Sequence, residues 1–122
     1  MTSAQEELRN RTKQFAYRII RLFRSLPRTT EAQVIGKQLL RSGTAVAANY
    51  RATGRARSRA EFVSKIGIVV EETDETLFWL ECLADNGIVR QTRLHDLIAE
   101  ANQLLAIFAA SQQTARAAAK TS

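Results

Sequence analysis

Phe62, Ile66, Val69, Thr73, Thr76, Leu80 and Leu83 step by four and three residues alternately, a stripe that repeats every 3.5 positions. Residues so spaced lie along one side of an α-helix and stay in line with a partner helix, whereas the two-residue period of a strand would scatter them over both faces. The segment therefore demands a helix packed lengthwise on another helix. Val70, Leu77, Phe78 and Trp79 run beside the stripe and widen the apolar arc beyond what one partner needs, so a second covered face is expected.

The rest of the chain is legible in the same terms, because one proline and five glycines in 122 residues leave few places to break a helix. Ser3 with Glu6 forms a capping box, and Leu8, Phe15, Ile19, Ile20, Leu22, Phe23 and Leu26 follow at helical spacing until Pro27 stops them. Thr30 with Gln33 is expected to open a second helix. In it Val34, Leu39, Val46 and Tyr50 alternate with the small residues Gly36, Gly43, Ala45, Ala47 and Ala48. A glycine inside a helix costs about 1 kcal/mol relative to alanine, so Gly36 and Gly43 point to close helix contact or a kink. Gly54 breaks this helix, and Ser58 with Glu61 restarts the chain as the third helix, which Gly87 ends. A fourth begins near Thr92 and repeats Leu94, Leu97, Ile98, Ala101, Leu104, Leu105 and Phe108 on one side, while the closing SQQTARAAAKTS loses large apolar groups and is expected to fray.

Helices over roughly 4–26, 31–53, 59–86 and 92–117 with short connections make one all-α domain, 1–122, an antiparallel up-down-up-down four-helix bundle. Folding the second and third helices about residue 56 brings together residues whose numbers sum to roughly 113. Arg41 then falls near Glu72, Ser42 near Glu71 and Asn49 near Ser64, and polar ties are predicted across that hairpin.

Hydrophobic residues make up 45% of the chain, enough for a core without disulfide or metal. The formal charge of +6 is unevenly spread: residues 1–60 hold thirteen Lys/Arg against three Asp/Glu, and residues 61–122 hold five against nine. Such polarity favours an anionic partner for the basic half, or contact between unlike halves of neighbouring subunits. Cys82 is the only cysteine, which excludes an intrachain disulfide and suits a reducing cytoplasm. The N-terminus lacks an apolar signal core, and no apolar run approaches the ~20 residues that span a bilayer, so a cytoplasmic protein without membrane association is expected.

Catalytic patterns are missing. His95 is the only histidine and has no cysteine or second histidine at a zinc-ligand spacing. Glu71, Glu72, Asp74, Glu75, Glu81 and Asp85 lack the Glu-x-x-His companion of bundle metal sites, and no glycine-rich phosphate loop, nucleophile elbow or Cys/His dyad occurs. The expectation is a non-enzymatic protein with no cofactor and no metal.

The segment 41–62, RSGTAVAANYRATGRARSRAEF, is where function concentrates. Arg55, Arg57 and Arg59 crowd the turn between the second and third helices, Arg51 stands just before it, and guanidinium forks suit phosphate oxygens. The same arginines would equally solvate the turn or pair with carboxylates of a neighbouring subunit. Arg18 and Arg21 on the first helix extend the basic surface. Tyr50, an aromatic at a helical position, belongs by default to the core rather than to a base stack.

The string RSGTAVAANYRATGRARSRAEFVSKIGIVVEETDETLFWLECL, preceded by LPRTTEAQVIGKQL, closely resembles the four-helix-bundle proteins encoded in intervening sequences of bacterial 23S ribosomal RNA genes. The matching positions are Leu26 and Pro27, Gln38 and Leu39, Arg41 and Ser42, Ala48 and Asn49, Arg57 and Ser58, and Glu61 and Phe62, within a resemblance covering roughly residues 15–108. It implies an antiparallel bundle assembled as a ring, typically a pentamer, and a kinship with accessory variability proteins of diversity-generating retroelements, which bind nucleic acid and a reverse transcriptase. Many members carry Glu-Gly after the Ala-Asn segment where this chain has Thr53 and Gly54, so the turn here is more basic.

Together these observations predict a homo-oligomeric protein that binds RNA or single-stranded DNA through Arg51, Arg55, Arg57, Arg59, Arg18 and Arg21, in the setting of a reverse transcriptase. Arg41, Ser42, Asn49, Glu61, Phe62 and Glu72 are expected to serve structure or subunit contact. The alternative is a protein-interaction scaffold whose arginines meet a subunit or partner.

Overall fold

The computed structural model describes residues 3–121, and the described residues form four helices and no strand: α1 (Ser3–Arg24), α2 (Thr30–Thr53), α3 (Arg59–Asp85) and α4 (Gln91–Thr121). Each helix runs antiparallel to its sequence neighbours, and α4 returns beside α1 to close the bundle. The stripe on α3 is the spine of the core. Ile66, Val69, Thr73, Thr76, Leu80 and Leu83 are all buried, and Phe62 is half-buried at its start.

On α2 the buried positions Ala32, Gly36, Leu39, Gly43, Val46, Tyr50 and Thr53 form a second stripe of the same spacing. Small and polar residues occupy four of its seven places, which hides it from a reading based on large apolar groups. Val34 is the corresponding correction: expected among the packing residues, it is 57% exposed. Its position falls off the stripe that the smaller Ala32 and Gly36 occupy. The two interior glycines allow α1 to come close. A Cβ on Gly43 would stand 2.9 Å from Ile19 Cγ1 and Cγ2, nearer than carbon atoms pack.

Where α2 meets α3 the contact is intimate enough for a buried hydroxyl pair. Thr76 Oγ1 donates to Ser42 Oγ at 2.9 Å, with both side chains fully buried. Ser42 thus lies against Thr76 and not Glu71 as expected, because the levelling rule ignores which side of each helix a residue occupies. Asn49 does not reach Ser64 either; its Nδ2 donates to the Ala45 carbonyl at 2.9 Å, one turn back on its own helix. The third expected tie is present: Arg41 Nη1 donates to Glu72 Oε2 at 2.8 Å.

The helix ends follow local chemistry. Thr29, not Thr30, caps α2, its side chain accepting from the Ala32 amide, while Gln33 Nε2 donates to the Pro27 carbonyl at 2.8 Å. Ser58 Oγ accepts from the Glu61 amide at 3.0 Å, but the Glu61 carboxylate faces Arg57 and Lys65 instead of completing a capping box. Gly87 adopts φ +64° after α3, and the Ile88 amide donates back to the Leu83 carbonyl at 3.0 Å. Helix α1 stops at Arg24, slightly before the expected end, and Ser3 lies at the edge of the described residues. The backbone of α4 stays helical to Thr121 where fraying was expected, in keeping with its alanine-rich end.

Candidate nucleic-acid interface

The antiparallel order carries the N-terminal half of α1, the C-terminal half of α2 and the α2–α3 turn to one end of the bundle. Arg51 sits on the last turn of α2, level with the beginning of α1. Between the two helices runs a groove of ≈ 390 Å³ lined by Glu6, Arg9, Asn10, Lys13, Ala47, Ala48 and Arg51. The alanines keep its floor low, because no side chain longer than a methyl rises from α2 there. Arg9 and Lys13, four residues apart, form one rim and Arg51 the other.

Arg55 and Arg57 occupy the adjoining turn and Arg59 opens α3, all exposed. Arg57 leans toward Glu61, with Nε 3.7 Å from Oε2, on a side chain 89% exposed. No carboxylate among the described residues comes within 4.0 Å of the Arg51, Arg55 or Arg59 guanidinium. Such groups are available to an anionic partner.

Arg18 and Arg21 are not part of that end. They lie farther along α1 and line, with Arg93 of α4, a second cleft of ≈ 220 Å³ floored by Leu22, Leu94 and Leu97. The expected set is therefore dispersed: Arg51 lines the groove between α1 and α2, Arg18 and Arg21 line the cleft between α1 and α4, and Arg55, Arg57 and Arg59 lie in neither. Lys13, Arg9 and Arg93 join them, and all three were passed over in the sequence because their grooves form only when α2 and α4 are laid beside α1.

The other expected residues have structural places. Arg41 joins α2 to α3 by donating to Glu72 and, through Nη2, to Glu75 at 2.5 Å. These hydrogen bonds to Glu72 and then Glu75 raise its pKa. The Glu75 carboxyl falls below the usual carboxylate range, first because Trp79 Nε1 donates to it at 3.0 Å and then because of Arg41. Tyr50 is core, 7% exposed, with its ring 5.3 Å from that of Phe108, and burial pushes its hydroxyl pKa up. Arg11, on the same helix as Arg18 and Arg21, makes a two-pronged contact to Glu100 on α4, at 3.2 and 2.7 Å.

Helix α3 leaves Ile68 and Phe78 exposed, at 44% and 55%, with Trp79 stacked edge-on against Phe78 at 4.9 Å. Among the described residues no three His, Cys, Asp or Glu side chains gather where they would hold a metal, and no helix is long and apolar enough to cross a membrane. Burial raises the pKa of Cys82, helped by Asp85 and Glu81, so its thiol is a weak nucleophile.

Comparison with known proteins agrees with this architecture. The chain is 28% identical to a crystallised protein of unknown function from the S23 ribosomal protein family of Bacteroides thetaiotaomicron, with a TM-score of 0.82 over 89% of this chain and 97% of that one. No curated protein matches. The model of the 23S rRNA-intervening sequence protein family matches residues 5–110, nearly the whole bundle, and the chain belongs to that family.

Proposed function

We propose that this protein is a non-enzymatic, homo-oligomeric nucleic-acid-binding bundle that holds RNA or single-stranded DNA by its phosphates. The observation that carries this reading is a set of arginines without carboxylate partners toward one end of the bundle: Arg51 across the groove from Arg9 and Lys13, Arg55 in the following turn, and Arg59 at the start of α3 beside α4. Cations already neutralised in the fold would have little to gain from phosphate; these retain their charge, and counterion release would supply much of the affinity. Contacts made to phosphate carry no sequence information, so weak sequence preference is part of the proposal.

Assembly is supported by Ile68 and Phe78, apolar side chains left on α3 after the bundle has formed, and by the opposite charges of the two halves of the chain. A ring of subunits, a pentamer by the resemblance, would cover these residues. An accessory role to a reverse transcriptase in the cytoplasm belongs to the same reading.

The test is the affinity for RNA and single-stranded DNA across a salt series. Binding should weaken steeply with salt, and replacing Arg55, Arg57 and Arg59 together by Ala should weaken it and flatten the slope by up to about 0.7 per lost contact on a single strand. Salt-independent binding, or no loss in the triple variant, would overturn it. A scaffold for another protein is the second reading, favoured by the exposed Phe78 ring, with half-buried Trp79 edge-on to it. It predicts that Phe78→Ala abolishes partner or subunit association while the wild-type protein binds no nucleic acid.

A further inference from the structure

Lys13, Tyr17 and Arg21 stand four residues apart on α1 and so follow one another along its outer face. Tyr17 is 41% exposed although it is a large aromatic, and the core packs against other positions of the helix, Phe15, Ala16 and Ile19. Lys13 rims the groove shared with α2, opposite Arg51. Arg21 borders the cleft shared with α4, beside Arg18 and Arg93. The aromatic ring thus lies between two separate cationic grooves.

We infer that the outer face of α1 is a track for single-stranded nucleic acid, with phosphates held in the two flanking grooves and a base stacked on Tyr17. This rests on the nucleic-acid reading above and goes further by choosing the strand state and by moving the centre of binding from the α2–α3 turn to α1. Three arguments favour a single strand. Base faces are available to a surface tyrosine only when unpaired, and base–aromatic stacking tolerates any sequence. The two grooves, ≈ 390 and ≈ 220 Å³, have room for the phosphates of one backbone and not for a duplex. From Lys13 to Arg21 the helix rises roughly 12 Å, the span of about three nucleotides at a stacked spacing of ~3.4 Å.

The experiment uses the full chain with fluorescein-labelled oligo-dT and oligo-rU, each single-stranded and paired with its complement. Wild-type protein should prefer the single strands. Tyr17→Ala should weaken single-strand binding about tenfold and Tyr17→Phe should restore it, since the ring and not the hydroxyl does the stacking. Lys13→Glu with Arg21→Glu should weaken binding more and reduce the salt slope. All three positions sit on the helix exterior, and circular dichroism checks that the variants stay folded. Equal affinity for duplexes, or binding by Tyr17→Ala within twofold of wild type, would overturn the inference. If those results came with loss of binding in the Arg55, Arg57, Arg59 triple variant, only the α1 track would fall. If the wild-type protein bound none of the oligonucleotides, the track and the broader reading would fall together.

Discussion

The α2–α3 contact and the α1–α4 contact close the same bundle by different physics. Along α2 and α3 two stripes of equal spacing interlock, with Ser42 and Thr76 buried between Leu39, Val46, Val69 and Leu80. Along α1 and α4 the backbones approach at few places, and polar ties reach across beside the shared apolar core: Arg11 to Glu100 and Gln103, and Arg93 Nη2 to Ser25 Oγ at 2.6 Å. A short turn brings α2 and α3 together, so small residues can be selected for close fit. Helices α1 and α4 are the most distant in sequence, and longer polar arms bridge the wider gap between them. That wider gap is also what leaves the Arg18–Arg21–Arg93 cleft open.

The comparison breaks most readily at Ser42. Ser42→Leu forces three extra carbons into a fully buried position facing Thr76, and overpacking of this kind should cost about 3 kcal/mol, read as a fall in Tm of about 10 °C. A loss under about 1 kcal/mol would show that the seam is looser than its geometry. Arg11→Ala tests the other interface. Its side chain is 26% exposed and its partner Glu100 21%, so removing a two-pronged charged contact should cost about 1–2 kcal/mol in denaturant unfolding. Arg41→Ala should cost below about 1 kcal/mol, since its side chain is 50% exposed and the sterically matched seam beneath it remains. An Arg41 effect larger than that of Arg11 would reverse the comparison.

The smallest effect is a pH dependence confined to the α2–α3 side. The folded-state pKa of Glu75 is depressed, so its contribution is complete above the ordinary carboxylate range and is lost as pH falls through the lowered value. Trp79, the sole tryptophan, donates directly to this carboxylate, so its fluorescence should titrate with a midpoint below that of an unperturbed glutamate. Glu75→Gln should abolish the transition. A midpoint at the ordinary value would mean that the Trp79 and Arg41 contacts are not formed in solution.

The candidate site was only partly readable in the chain. Arg55 and Arg57 announce themselves because they crowd a turn that Gly54 and Ser58 delimit, and Arg59 follows directly at the start of α3. Lys13 and Arg9 look like any solvated helix face until α2 presents Ala47 and Ala48 beside them and turns two rims into a groove. Tyr17 carries no signal of its own, since its distinction is to be exposed where the apolar period puts other residues inward. Arg11 and Arg18 share α1 with it, yet one joins α4 and the other borders a cleft. Their linear pattern does not separate them, because a few tens of degrees around a helix decide between a partner helix and solvent.

Local physics within the sequence determined four helices, their turns and the α3 stripe, because capping side chains, glycine, proline and apolar period all act within a few residues. It also determined Arg41 with Glu72, two long side chains that reach each other wherever the hairpin levels them. Tertiary structure alone decided that Ser42 meets Thr76, that Val34 faces water and that Arg51 borders one groove of α1 while Arg18 and Arg21 border another. Those outcomes depend on how each helix is rotated about its axis. That rotation is set by packing against neighbours distant in the chain, where small residues such as Gly43 and Ala47 matter for the space they leave.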